Sequence, residues 1–315
     1  MKHDVALVTP TYRNDIELFA LLCDSVERHL TGYTRHYVLV KDDDVPLFAP
    51  WNSARRVIVP SSQLLPRWLK LLPLVLRKNR PVWWSFRTKP VHGWHVQQIL
   101  KIAAALQFPE RRYCLVDSDN VFVRPFDLKS YAGRETTPLY VDRAAILADA
   151  PLHGPWTRNC DRLLGRSVPT IFPADDYVGN AIIWDQQTVR DMTQAVERAT
   201  RKSWAHALCS VRDFSEYLLY GHFVRNSPPH LAAHTVTTEK LANAYWDDTP
   251  LDATAITAML DAMTEAQVAL CISSFSHTSV SLIRDVVALP KDRLAPSPGL
   301  QPTASRGRQL DAQIH

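Results

Sequence analysis

The chain has 315 residues, 46% hydrophobic and 22% charged, the make-up of an ordinary globular protein with room for one large α/β domain or two modest ones. Its 36 Lys and Arg against 32 Asp and Glu leave a net charge of +4, too mild for a nucleic-acid binder but suited to phosphorylated ligands. The five scattered cysteines include no C-x-x-C pair, so neither a zinc ribbon nor a disulfide scaffold is indicated, and a reducing cytosol is the simplest compartment.

The opening MKHDVALVTPTYRND has too short an apolar run for a signal peptide. Residues 5–9 predict a strand stopped by Pro10. Ile16, Phe19, Leu22, Cys23, Val26 and Leu30 then fall at helix spacing, with Asn14 or Asp15 as the cap. Residues 36–40 and 56–60 predict two more strands, the first ending in the acidic turn KDDD. This β-α-β-β opening implies a parallel-rich sheet of nucleotide-binding type.

Residues 64–84 are the most apolar stretch, interrupted by Pro66, Arg67, Lys70 and Pro73. They read first as a buried helix-and-turn segment. A second reading is a basic amphipathic patch in peripheral contact with a membrane, anchored by Trp68, Trp83 and Trp84. No stretch approaches about 18 uninterrupted apolar residues, so no spanning helix is expected.

Residues 93–106 predict a helix with Val96, Ile99, Leu100 and Ala103 as its apolar stripe. Strands are expected at 138–142, 180–185 and 267–274, and helices at 186–202 and 213–224. The reading is a single domain over 1–288, with a nucleotide-binding half of about 1–125 and an acceptor half of about 126–288. Beyond it, 289–315 is rich in Pro, Ser, Gly, Arg and Gln and reads as a mobile tail. No G-x-G-x-x-G or Walker A sequence is present, which argues against dinucleotide and P-loop folds.

The most informative stretch is RYCLVDSDNVFVRPFD, residues 112–127. An apolar run from Tyr113 to Val116 delivers Asp117 and Asp119, and a second run follows from Val121 to Val123. If the first run is a buried strand, both carboxylates emerge at its carboxyl end, where open α/β sheets bind ligands. Two hard oxygen ligands there suit a divalent cation, which in turn holds phosphate. The competing reading is a plain Asp-Ser-Asp turn between strands.

With GWHVQQILK, DSDNVFVRPFD and FSEYLLYG in view, the chain resembles a DxD-type nucleotide-sugar glycosyltransferase of the GT-A fold, in a bacterial branch of that group. The resemblance covers roughly residues 5–280. It implies a mixed, mostly parallel central sheet flanked by helices. It also implies four parts in chain order: the D-x-D at Asp117 and Asp119, a glycine loop at Gly179, an acid near a helix start at Glu216, and a late histidine at His277. One departure is plain: the third part normally has adjacent acids, whereas Asp213 and Glu216 stand three apart.

On this resemblance Asp117, Asp119 and His277 are the expected ligands of Mn²⁺ or Mg²⁺, with Asp119 the direct one. Glu216 is the expected general base, with Asp213 and Asp176 as competitors. Asp213 and Glu216 also fit a capping box, with Asp213 as the cap. Donor binding is expected from Thr9, Thr11 and Tyr12 on base and ribose, Arg13 on phosphate, and Asp42 on the nucleobase. Gly179 would allow close approach and Asn180 would bond a sugar hydroxyl. Arg87, Lys89, His92 and His95, with the start of the 93–106 helix, would form an anion site. Lys101 would reach phosphate or pair with Asp117.

The expected activity is metal-dependent transfer of a sugar from a nucleoside-diphosphate sugar to a glycan or lipid-linked acceptor, in bacterial surface polysaccharide synthesis. The expected location is cytoplasmic, with peripheral placement on the inner face of the membrane as a second reading. Two other readings compete: a metal-dependent nucleotidyltransferase, and a non-catalytic glycan-binding protein using its nine Trp and ten Tyr.

Overall fold

The computed structural model describes residues 4–72, 81–166 and 169–288. The tail expected at 289–315 lies outside the described residues. The central sheet has five strands in the order Ile182–Asp185, Arg112–Leu115, Val5–Pro10, His36–Val40, Arg56–Pro60. The last four run parallel, and Ile182–Asp185 is an antiparallel edge on Arg112–Leu115. This is a mixed α/β architecture, a mostly parallel central sheet flanked by helices, consistent with a Rossmann-like fold.

Side-chain alternation explains the layering. Ala6, Val8, Tyr37, Leu39, Tyr113, Leu115 and Trp184 point to one face. There they pack with Val96, Ile99 and Ala103 of the Gly93–Gln107 helix and with the Gln186–Thr200 and Glu216–Arg225 helices. The alternate residues Val5, Leu7, Cys114 and Ile183 turn to the other face, against Leu22 and Val26 of the Ile16–His29 helix. Successive side chains of a strand take opposite faces, so a strand buried on both reads as continuously apolar.

A second, three-stranded sheet abuts the first. Asn120–Phe122 runs antiparallel to Ala269–Ile272, which pairs in parallel with Ala242–Tyr245. The two strands flanking Asp117-Ser118-Asp119 therefore belong to different sheets. Three two-stranded pairings are also present: Phe126–Asp127 with Leu30–Thr31, Thr137–Tyr140 with His234–Thr237, and Asp142–Ile146 with Ala174–Asp176. The single strand expected at 138–142 is thus two, parted at Val141.

The 64–84 segment corrects its first reading. Its described residues hold no α-helix. Lys70–Leu71, Val82–Trp84 and Val91–His92 form a small antiparallel sheet. Pro66 breaks helical continuity, and the aromatic pair Trp83-Trp84 favours a pleated strand. Pro73, at the head of the undescribed stretch 73–80, lies outside the described residues. No helix among the described residues is long and apolar enough to cross a membrane. All five cysteines are buried and free, and burial pushes their thiols up, those of Cys23 and Cys209 to about 12.

Candidate functional site

The chain leaves the Val5–Pro10 strand toward His36–Val40 and Arg56–Pro60, then returns to Arg112–Leu115 on the other side of Val5–Pro10. Strand order reverses between Val5–Pro10 and Arg112–Leu115. In open α/β sheets the loops leaving the carboxyl ends of strands at such a point part and form the ligand crevice. One loop carries Asp15 and the other carries Asp117 and Asp119. Ser118 Oγ donates to Asp15 Oδ2 across the gap at 3.4 Å.

Charge is concentrated at this crevice. Burial, with the Asp117 and Asp15 carboxylates, pushes Asp119 up to about 7. Burial, with Asp117, raises Asp15 to about 6 against the pull of hydrogen bonds from Ser118 and Tyr12. Sequence reasoning saw Asp15 only as a helix cap. It is the residue before the Ile16–His29 helix, but its side chain caps nothing and lies in the acidic cluster instead. Only the strand order could have revealed this.

Asp117 faces the opposite charge. Lys101 Nζ lies 2.9 Å from Asp117 Oδ1, an ion pair off the angle of a hydrogen bond. The same ammonium donates to Glu216 Oε1 at 3.0 Å and to the Tyr217 hydroxyl at 2.9 Å. Lys101 and Glu216 are both buried. Burial alone would lower the Lys101 pKa; Asp117 and Glu216 outweigh it and hold it well above its ordinary range. Burial raises Glu216 despite Lys101 beside it. The expected pairing of Lys101 with Asp117 is therefore present, and Glu216 is a partner of that lysine.

The capping box does not form. Ser215 is the cap of the Glu216–Arg225 helix, its side chain accepting from the Leu218 amide, and Glu216 is the first helical residue. The Glu216 amide donates to Gln98 Oε1 at 3.0 Å. Asp213 is exposed, and its carbonyl accepts from Asn159.

Asn180 lies at the same cluster. Asn120 Nδ2 donates to Asp119 Oδ1 at 3.2 Å and to Asn180 Oδ1 at 3.4 Å. The Cys271 thiol bonds both Asp119 and Asn180. Gly179 has a close approach of a different kind: an added Cβ would lie 3.1 Å from Ile182 and 3.3 Å from Tyr140, so the glycine serves internal packing. His277 is exposed, at left-handed φ (54°), on the turn after the Ala269–Ile272 strand. Ile272 donates to the Asp119 carbonyl, so that turn lies at the Asp119 end of the second sheet. Among the described residues no three His, Cys, Asp or Glu side chains converge as a ready metal cage. A two-carboxylate site is another matter. Mg²⁺-type cations take one or two carboxylates and complete their shell with water and substrate phosphate. Asp119 and Asp15, under the charge of Asp117, are the carboxylates here that would serve such a mode.

Tyr12 stays with the cluster through its bond to Asp15, whereas Thr9, Arg13, Asp42 and the basic run are engaged elsewhere. Thr9 is fully buried, its hydroxyl on His36 Nε2 at 3.0 Å. Arg13 is bound to Asp44 by Nε at 2.7 Å. Asp42 is occupied by Ser61 Oγ at 2.9 Å and the Ser62 amide at 3.1 Å, bonds that lower its pKa against the effect of burial. The basic run does not form one anion site. His95 is turned inward onto the Leu208 carbonyl at 3.0 Å, the Arg87 guanidinium covers Trp68, and Lys89 and His92 are exposed. Thr11 is buried with its hydroxyl unpartnered among the described residues, so it remains available to a ligand.

Two further features lie outside the sequence expectations: an aromatic stack, and a histidine partner for the catalytic candidate Asp176. Trp94 stacks on Trp156 with ring centroids 5.1 Å apart, and His153 stacks on the same indole at 4.8 Å. Trp94 is 45% exposed. Its companions Gln98 and Lys101 follow at helix spacing, a signal readable in the sequence. Asp176 Oδ2 meets His153 Nδ1 at 2.8 Å while Asp176 Oδ1 accepts from the Val178 amide. Asp176 and Asn180 are four residues apart, a span of at most about 14 Å. Trp94 and Lys101 are seven apart on one helix, about 10 Å. The aromatic stack thus shares a helix with Lys101, and the His153–Asp176 pair lies on the chain segment that leads to Asn180.

Fold and crevice define a Rossmann-like α/β protein with an acidic, lysine-braced cluster at the strand-order reversal and an aromatic stack on the helix that carries Lys101. The chain belongs to a family of unknown function, DUF6492, whose model matches residues 4–287. No curated protein matches it significantly.

Proposed function

We propose that the protein is a metal-dependent glycosyltransferase of GT-A type, moving a sugar from a nucleoside-diphosphate sugar to a glycan or lipid-linked acceptor. The observation that carries this reading is the placement of Asp15, Asp117 and Asp119 together at the point of strand-order reversal. A divalent cation held by Asp119 and Asp15 with the donor's diphosphate would supply Lewis acidity for the departing nucleoside diphosphate. Lys101 holds Asp117 and neutralises it, so that the crevice keeps a fixed geometry. Trp94 offers an indole face to the apolar side of an acceptor sugar.

His153 is the better candidate for the group that takes the acceptor proton. Asp176 engages Nδ1, which orients the ring and leaves Nε2 for the acceptor hydroxyl. Glu216, sequestered on Lys101, is assigned to positioning. The nucleotidyltransferase reading has less support, since among the described residues no loop of basic residues converges on the crevice for a triphosphate.

The decisive test is thermal stability in the presence of UDP-, GDP-, CMP- and dTDP-sugars, each with and without Mn²⁺. One nucleotide sugar is expected to raise the melting temperature only with the metal, because a ligand of the native state stabilises by mass action. A glycan that stabilises without metal or nucleotide would favour the binding-protein reading. Trp94→Ala is expected to raise acceptor KM roughly tenfold with kcat little changed. Losing about 60 Å² of covered indole corresponds to about 1.5 kcal/mol. An unchanged KM would remove Trp94 from the acceptor site.

A further inference from the structure

Between Asp44 and Glu110 the sequence contains no Asp or Glu, while Lys and Arg recur throughout. The structure gathers part of this stretch into one surface. Lys70 pairs with Trp84 and Leu71 with Trp83 across the small antiparallel sheet. Trp83 turns into the core, so the alternate positions face out. Just beyond Trp84, Ser85 Oγ accepts from the Arg87 and Thr88 amides, both at 3.1 Å, and fixes a turn. Phe86 stands at its tip, 95% exposed, edge-on to Trp84 at 4.2 Å. Arg67, Lys70, Arg87 and Lys89 are exposed around it.

We infer that this face docks on an anionic lipid surface. Phe86 enters the boundary between headgroups and acyl chains, Trp84 lies at headgroup level, and the surrounding Lys and Arg meet lipid phosphate. An aromatic tip ringed by basic side chains is the composition that binds such an interface. The basic residues hold the charged headgroups while the rings bury apolar area. A fully exposed phenylalanine with no hydrogen-bonding group gains little from water and much from an acyl boundary. A nucleic acid fits less well: Phe86 is presented on a convex tip, whereas strand binders line a basic groove. The inference stands apart from the proposed sugar transfer, and its readout needs no enzymatic activity.

The experiment is co-sedimentation of the full chain with phosphatidylglycerol–phosphatidylcholine vesicles and with pure phosphatidylcholine vesicles. Wild type is expected to sediment with the anionic vesicles only, and to be released by high salt. Phe86→Ser, and separately Arg67→Gln with Lys70→Gln, should each weaken vesicle binding at least tenfold while circular dichroism and melting stay unchanged. The inference is overturned if wild type stays in the supernatant, or if it sediments equally with neutral vesicles. Unaltered sedimentation of the folded variants would do the same. Two other results would replace lipid by another occupant: a Phe86-dependent dimer in vesicle-free buffer, or Phe86-dependent retention by single-stranded RNA without vesicle binding.

Discussion

Lys101→Met is expected to cost the protein about 3–5 kcal/mol of stability, the largest loss foreseen for any single change at the crevice. The methionine fills most of the same volume, so cavity formation contributes little. What is lost is, among the described residues, the only ammonium in contact with the buried Glu216 and with Asp117 Oδ1. A buried carboxylate left without its counter-charge either unfolds its surroundings or takes up a proton. Glu216 is already raised by burial, and removing Lys101 takes away the main influence that lowers it. A raised carboxylate means that the native state binds more protons than the unfolded chain, so stability rises as pH falls. The deficit of the variant should therefore shrink on acidification. Urea melts at several pH values measure this directly. A deficit under 1 kcal/mol at neutral pH, or one that grows toward acid, would show that the ammonium does not compensate Glu216.

Asp119→Asn should act in the opposite direction on stability while abolishing metal-dependent transfer. Burial and the neighbouring Asp117 and Asp15 carboxylates lift Asp119 to about 7. Its ordinary value is 3.8, so across the interval from about 4 to about 7 the native state holds a proton that the unfolded chain has lost. Wild-type stability is consequently eroded as pH rises through that interval, with the full cost borne above about 7. Asparagine never pays it, so the variant should melt higher at pH 8, by about 3 °C for each kcal/mol relieved. The two proteins should converge below pH 4, where the aspartate is neutral in both states. Mn²⁺ should stabilise wild type increasingly toward pH 8 and leave the variant unmoved. A variant less stable than wild type at pH 8 would mean that hydrogen bonds from Asn120 and Cys271 outweigh the repulsion.

What could be read from the sequence divides along physical lines. Strands whose residues are apolar on both faces, such as His36–Val40 and Arg56–Pro60, were legible to the residue. So was the emergence of Asp117 at the end of one. The pairing of Lys101 with Asp117 was also anticipated, because a helix leading straight into the DSD strand must pack beside it. Asp15 was missed as a cluster member because its neighbours are set by strand order, which no local pattern encodes. Glu216 was placed near a helix start correctly, but its partner lies 115 residues away. The 64–84 segment misled because leucine-rich composition favours a helix, whereas the pairing of Lys70 with Trp84 is a tertiary choice.

The five buried thiols have a practical reach. A cysteine reacts as its thiolate, and here each sulfur is shielded from solvent with its ionisation suppressed. Native protein should therefore be nearly silent to maleimide and iodoacetamide reagents without removal of any natural cysteine. A single cysteine introduced at an exposed position, Phe86 or Trp94, would carry a fluorophore or spin label by itself. The interior chemistry of the fold thus supplies a clean background against which movement at either surface can be followed.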